Sequence, residues 1–201
     1  MNEEIEKKGY PDRYEAEALL REAEALNPGP WGNHSRVAAK CAETIARACG
    51  DMDSEKAYVL GLLHDIGRRF GVKHLGHVYD GYTYMLELGY PQAARICLTH
   101  SFSTQKLTDY IGNFDVTPEQ QQVIDNALSE CVYDDYDRLI QLCDAISLPD
   151  GVAAIEERMG DVKRRYGHYS QEKWNKNIEL IDYFSDKAKC DIEKLTDGIR
   201  P

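Results

Sequence analysis

The sequence predicts an all-α fold, a single-domain helical bundle, and three observations predict it. Apolar residues recur at offsets of three, four and seven along most of the chain. Gly, Pro and Asn fall where such runs end. Alternating β-branched runs of the kind that form strands are nearly absent. With 201 residues, 42% of them hydrophobic, the chain can bury a core without disulfides or a structural metal and is too apolar for wholesale disorder.

Asp12 to Leu26 is rich in Ala, Glu and Leu, with Asp12 as its N-cap, and Asn27-Pro28-Gly29-Pro30 stops it. Asn33 to Cys49 forms a second helix, closed by Gly50. Ser54 opens a third with Val59, Leu62, Leu63 and Ile66 on one face, ending between Gly67 and Gly71. His77 to Leu88 follows, ended by Gly89, and Pro91 to His100 begins with proline in its first turn. Ser101 to Val116 has no periodicity, and a loop of that length in a compact domain is often functional. Thr104 and Lys106 are its candidate substrate contacts.

Thr117-Pro118-Glu119-Gln120 starts a helix that runs to about Val132. Tyr136 to Leu148 and Val152 to Tyr166 are separated by Pro149-Asp150-Gly151, and Ser170 opens a last helix to about Lys189. The tail to Pro201 is expected to be loosely held. No repeat or linker divides the chain, so residues 1–201 read as one domain, with helices 12–26 and 152–190 packed around a central region of about 30–150.

The charge balance, 24 Lys and Arg against 35 Asp and Glu for a net −11, argues against a nucleic-acid polymer as partner. It leaves room for a small anionic substrate, because one local cationic pocket can override the mean field. No run reaches the ~18 apolar residues of a membrane span. Met1-Asn2-Glu3-Glu4 is acidic, with no apolar stretch behind it, so no secretory leader is expected. The six cysteines (Cys41, Cys49, Cys97, Cys131, Cys143, Cys190) are scattered without a CxxC pair and read as unpaired thiols of a cytoplasmic protein. The long C-terminal helices offer surface for a homodimer.

The ionisable residues carry the functional signal. His34 heads the row Val37, Cys41, Ile45; His77 lies with Gly81, Tyr84 and Leu88; His100 lies with Ala93, Ile96 and Cys97. Asp144 follows Ile140 by four on an apolar face whose segment offers no cation except Arg138, on another side of the helix. An unpaired carboxylate in such a place costs several kcal/mol. Imidazoles and carboxylates converging from five helices are economically explained by a bound divalent transition metal.

Gly61-Leu62-Leu63-His64-Asp65-Ile66-Gly67 makes this a resemblance: the pattern resembles the HD superfamily of metal-dependent phosphohydrolases in its HDIG form. An upstream His34, the adjacent His64-Asp65 and a distant Asp144 fit that pattern. His77-Val78-Tyr79-Asp80-Gly81 resembles its H-x3-G element, and His100 ends a helix where such domains place another His. The resemblance covers residues 30 to 150. It implies a helical bundle with a central metal site, in which His34, His64, Asp65 and Asp144 hold a first ion. Asp65 bridges to a second held by His77 and His100, with a single ion as the alternative. The metal is Fe, Mn, Co, Ni or Zn.

By the same resemblance a metal-activated hydroxide attacks phosphorus in a small phosphorylated metabolite, a nucleotide or a dinucleoside polyphosphate. The competing reading is a nucleotide-binding or regulatory HD module with little turnover. Where the family usually has Lys after the glycine, this chain has Arg68 and Arg69, which either grip phosphate or are solvated charges at a helix C-terminus. Asp65, Arg68 and Asp80 are the candidate catalytic residues. Asp80 would orient His77 or move a proton; its alternative is a helix-surface aspartate. His74 and the basic cluster Arg158, Lys163, Arg164 and Arg165 are weaker candidates, the cluster for steering phosphate, and His168 reads as a surface residue.

Overall fold

The structure, a computed structural model, describes residues 9–201; Met1 to Glu4, where no leader is expected, lies outside the described residues. Ten α-helices account for most of the described chain, and the only strands among the described residues form a two-residue hairpin. The all-α expectation therefore holds.

The first helix, α1 (Arg13–Leu26), is capped by the Asp12 carboxylate, which accepts from the Glu15 amide at 2.8 Å. Helix α2 (Trp31–Cys49) ends on left-handed Gly50, and α3 (Ser54–Leu63) starts on an Asp53 cap. These two pack closely: a Cβ on Gly61 would lie 2.9 Å from Ala39 Cα and 3.1 Å from the Ala38 carbonyl oxygen. Helix α3 stops sooner than its periodicity suggests. His64 and Asp65 form a turn after it, and a 3₁₀ segment (Ile66–Phe70) continues the chain. The turn departs from the helical row and directs the two adjacent side chains to different partners.

Helices α4 (Leu75–Glu87) and α5 (Pro91–Thr99) pack on each other, and α4 also packs on the 3₁₀ segment. The expected loop after His100 contains only a short 3₁₀ turn, Leu107–Asp109, before α6 (Pro118–Glu130), which starts where expected and is closed there by a Thr117–Gln120 capping box. Leu75, Val78, Leu98, Phe102, Ile124 and Leu128 make a secondary core that holds this loop and α6 down. Helix α7 (Asp135–Ile146) ends two residues earlier than its sequence pattern. Ser147 and Leu148 pair with Val152 and Gly151 around Pro149-Asp150, so α8 begins at Ile155 and ends at Tyr166.

The main core runs from α1 through α9 (Gln171–Ala188), with Val37, Ile45, Leu63, Ile140 and Phe184 fully buried. The tail corrects an expectation. Rather than lying loose, it forms α10 (Ile192–Thr196), with Ile192 and Thr196 fully buried. The Glu193 carboxylate accepts from the Ile155 amide at 2.9 Å, capping α8, and Lys40 donates to the Arg200 carbonyl at 2.8 Å. One apolar residue per turn is enough to dock a short helix when its ends are tied by such bonds. No helix is long and apolar enough to cross a membrane among the described residues.

Candidate metal centre and its cavity

Four histidines and two aspartates converge where α2, the α3 turn, α4, α5 and α7 meet. His34 Nε2 lies 3.2 Å from His64 Nε2 and 3.0 Å from Asp144 Oδ1, and His64 Nε2 is 3.7 Å from the same oxygen. On the other side, His77 Nε2 is 3.2 Å from His100 Nε2, and these atoms lie 3.0 and 3.6 Å from Asp65 Oδ1. The second oxygen of Asp65, Oδ2, faces His64 Nε2 at 3.9 Å. Asp65 is thus shared by two groups, one with His34 and His64 and one with His77 and His100.

The opposite ring atoms explain why the nitrogens face one another. His34 Nδ1 donates to the Ser147 carbonyl at 3.2 Å, His64 Nδ1 to Gly61 at 2.7 Å and His100 Nδ1 to Cys97 at 2.9 Å; His77 Nδ1 donates to the His74 carbonyl. A carbonyl only accepts, so a ring that holds its proton on Nδ1 turns a bare lone pair inward on Nε2. Four lone pairs then meet in two pairs, an arrangement that repels itself unless a cation sits between them. Ligand atoms bound at 2.0–2.2 Å to one ion lie roughly 3 to 3.5 Å apart, close to the spacings here. The donor set therefore fits divalent transition metals.

Burial and charge tune the set. Burial raises the Asp65 carboxyl, but Arg68, His77 and His64 outweigh it and hold the group well below the ordinary range. Asp144 behaves alike: the effect of burial is overcome by the neighbouring His34 and His64 rings. Burial, with neighbouring His64, pushes His100 down to about 3, leaving it neutral as ligation requires. His64 is raised, because Asp65 and Asp144 exceed the effect of its burial.

Arg68 donates from Nε to Asp65 Oδ2 at 2.5 Å while lining the cavity above the cluster. Arg69 turns away, bonded to the Tyr84 hydroxyl and to Glu22 at 2.8 Å, so it serves the packing of α1 and α4. Asp80 does not orient His77. Its carboxylate receives Lys73 Nζ at 2.5 Å, and the His77 ring is held by the His74 carbonyl instead. The Asp80 side chain leans back along the helix toward its N-terminus, where the Lys73 ammonium takes it, while both His77 nitrogens are already committed, Nδ1 to the His74 carbonyl and Nε2 to the space shared with His100 and Asp65. Lys106 pairs with Glu172 on the surface at 2.6 Å rather than facing the cavity, and Thr104 does not line it. His74 lines the cavity beside Tyr166 but lies outside both ligand groups. His168 is exposed.

The cavity measures about 410 Å³ and opens above His77, His100 and Asp144. The loop after His100 contributes Ser101, Ser103, Tyr110 and Ile111, as its length suggested. Five cations reach the cavity, Arg68, Lys73, Arg158, Arg165 and Lys173, against the single carboxylate of Asp144. Lys173 and Gln141 were not singled out by the sequence. Gln141 sits one turn before Asp144, and the Tyr169, Lys173, Asn177 row at spacing four was the available signal.

A buried ion pair fixes the ends of α5 and α7. Fully buried Asp137 accepts from Arg95 Nε at 3.0 Å and from the Thr99 hydroxyl at 2.8 Å, and Gln141 donates to the Thr99 carbonyl at 3.1 Å. His100 follows directly on this clamp.

An all-helical protein with a buried histidine–aspartate cluster under a cationic cavity is the class these features define. The HD domain family model matches residues 31–148, more than half of the chain. The chain belongs to the HD domain family, within the superfamily of metal-dependent phosphohydrolases. Neither a comparison with curated proteins nor one with solved structures gave a match.

Proposed function

We propose that this protein is a metal-dependent phosphohydrolase acting on a small phosphorylated metabolite, a nucleotide or dinucleoside polyphosphate, in the reducing cytoplasm. One observation carries the reading: in a chain of net charge −11, the cavity above the histidine–aspartate cluster gathers five cations and one carboxylate. Fields focused in such a cleft concentrate anions. The six free thiols agree with a reducing compartment.

His34, His64, Asp65 and Asp144 would hold one ion and Asp65, His77 and His100 a second. Bound divalent ions supply Lewis acidity, lowering the pKa of water and offsetting charge on phosphoryl oxygens. Asp65 contributes a carboxylate that stays ionised near neutral pH, so it offers both oxygens without competing protons. Arg68 fixes that carboxylate through Nε, which leaves the guanidinium edge on the cavity side to meet phosphoryl oxygens. Tyr110, Tyr166 and Tyr169 give the cavity flat apolar surface for the remainder of the substrate.

The test is metal content per chain by mass spectrometry on protein purified without added metal or chelator, followed by a phosphate-release screen over nucleotides and dinucleoside polyphosphates. The reading expects about two ions, and an Asp65→Ala variant that loses metal and turnover together while its helical circular dichroism is kept. Full turnover in that variant would sink the metal mechanism. Tight nucleotide binding with no product under any metal would favour the regulatory module instead.

A further inference from the structure

Three of the cavity's cations lie beyond residue 148, outside the segment that matches the HD domain. On α8 the cavity face runs Arg158, Val162, Arg165, offsets of four and seven; on α9 it continues through Lys173 and Asn177. This charge is poorly compensated. Three arginines share one carboxylate, Asp161: Arg165 Nε at 2.8 Å, Arg158 Nη1 at 3.5 Å and Arg164 Nη2 at 3.6 Å. Nε and Nη1 of Arg158 are buried without a hydrogen-bond acceptor.

Lys173 donates to the Ser101 carbonyl at 2.6 Å and the Asp109 carbonyl at 3.3 Å. Among the described residues it has no carboxylate at ion-pairing distance, and its third proton is left for the cavity. Ser103 Oγ, of another residue that lines the cavity, is buried and unpaired as well. Buried donors are normally satisfied in a folded chain. Several left open around one cavity point to a ligand that supplies acceptors.

We infer that Arg158, Arg165 and Lys173 form a second anion subsite. It holds a phosphoryl group away from the one placed over the histidine–aspartate cluster, so the substrate carries two or more linked phosphoryl groups rather than one. This rests on the phosphohydrolase reading for the role of the first site. Guanidinium groups suit the task because their planar forks pair bidentately with phosphoryl oxygens. Asn177 and Tyr169 are bonded to each other at 2.7 Å and stiffen the wall behind Lys173.

The test is calorimetric titration of the full chain as purified, in magnesium buffer, with orthophosphate, tripolyphosphate and adenosine 5′-triphosphate, metal content being measured again afterwards. Tripolyphosphate is expected to bind at least about 10-fold more tightly than orthophosphate. An Arg158→Gln/Arg165→Gln double variant loses that preference, its tripolyphosphate affinity falling by at least about 10-fold more than its orthophosphate affinity. Arg165→Glu, a reversal at a half-exposed position, gives the same direction should the double variant fold poorly.

The inference is overturned by wild-type protein that shows no preference, or by variants that retain it with metal intact. Tighter binding of the nucleoside triphosphate than of tripolyphosphate supports the subsite with a nucleotide as source; equal binding supports it with the polyphosphate chain alone. Failure of the phosphohydrolase reading shows differently, as protein without metal whose orthophosphate binding is unchanged by Asp65→Ala.

Discussion

Gly67→Ala tests how the fold sets the second ligand group. A Cβ built on Gly67 would lie 3.0 Å from Gly81 Cα, and closer still to the Gly81 amide nitrogen and the His77 carbonyl oxygen. Those atoms are backbone of α4, so no side-chain rotation relieves the overlap. To restore ordinary contact, α4 must retreat by roughly 1–1.5 Å, and overpacking of that kind costs about 1–3 kcal/mol. Since ~1 kcal/mol moves Tm by about 2–4 °C in a chain of this size, the loss in Tm is about 2–12 °C. His77 rides on the same turn, and its retreat opens the 3.2 Å spacing to His100 Nε2 and the 3.0 Å spacing to Asp65 Oδ1. Metal analysis should therefore show loss of one ion while the group around His34 keeps its own. Gly160→Ala is the control: its Cβ would meet only Arg164 Nη1 at 3.5 Å in mid-helix, so alanine should stabilise by ~0.5–1 kcal/mol. A Gly67→Ala protein that melts like wild type with its full metal complement would refute the account of His77 placement.

Asp137→Ala takes one carboxylate from Arg95, which keeps Asp134, and leaves the buried Thr99 hydroxyl without its acceptor; a buried polar group left unsatisfied costs about 1–3 kcal/mol, which urea titration would read, with weakened metal binding at His100. Arg68→Met frees Asp65 Oδ2 and should lower metal affinity or turnover by about 10–100-fold; equal metal retention and equal turnover would remove Arg68 from the site. Burial lowers Lys173 to about 8, so the unfolded chain holds the extra proton between pH 8 and ~10.4 and this group's contribution to stability rises across that window. Anion capture by its ammonium runs the other way and fades as pH rises through 8; Lys173→Met should flatten both differences in melts and titrations taken from pH 7 to 10. Chelation should lower Tm, since ions present at 100 times their Kd stabilise by about 2.7 kcal/mol; an unchanged melt would mean that the cluster holds no ion.

The order of the helices was legible because caps and apolar spacing are local: Asp12, Asp53, Thr117 and Ser170 each accept amide hydrogens at the start of a helix. What the chain hid was settled by partners far away in sequence. Helical periodicity carried α3 past His64, yet the backbone turns there, where Gly67 meets the α4 backbone. The 147–152 hairpin is too short to alternate visibly, although its Ser147 carbonyl orients His34. Asp80 looked like a partner for His77 on spacing alone, and Lys73, seven residues earlier, took it. The tail lacked apolar density, and its docking rests on Ile192 and on bonds from Glu193 and Arg200 to remote helices.

The ligand cluster and the cavity wall come from different parts of the chain, and that division has a physical consequence. Residues 31–148 supply all six candidate ligands, whose spacing tolerates little change because each imidazole is pinned by a backbone carbonyl. Arg158, Arg165 and Lys173 stand on α8 and α9, which carry none of the ligands although they pack on α7 and α2. Substitutions there alter what the cavity accepts without moving an imidazole. Lys173 is the exception that couples the two parts: its bonds to the Ser101 and Asp109 carbonyls tie α9 to the loop that begins beside His100. Lys173→Met should therefore loosen that loop as well as remove a charge, and faster hydrogen exchange confined to residues 101–110 would separate this effect from the purely local loss expected of Arg165→Gln.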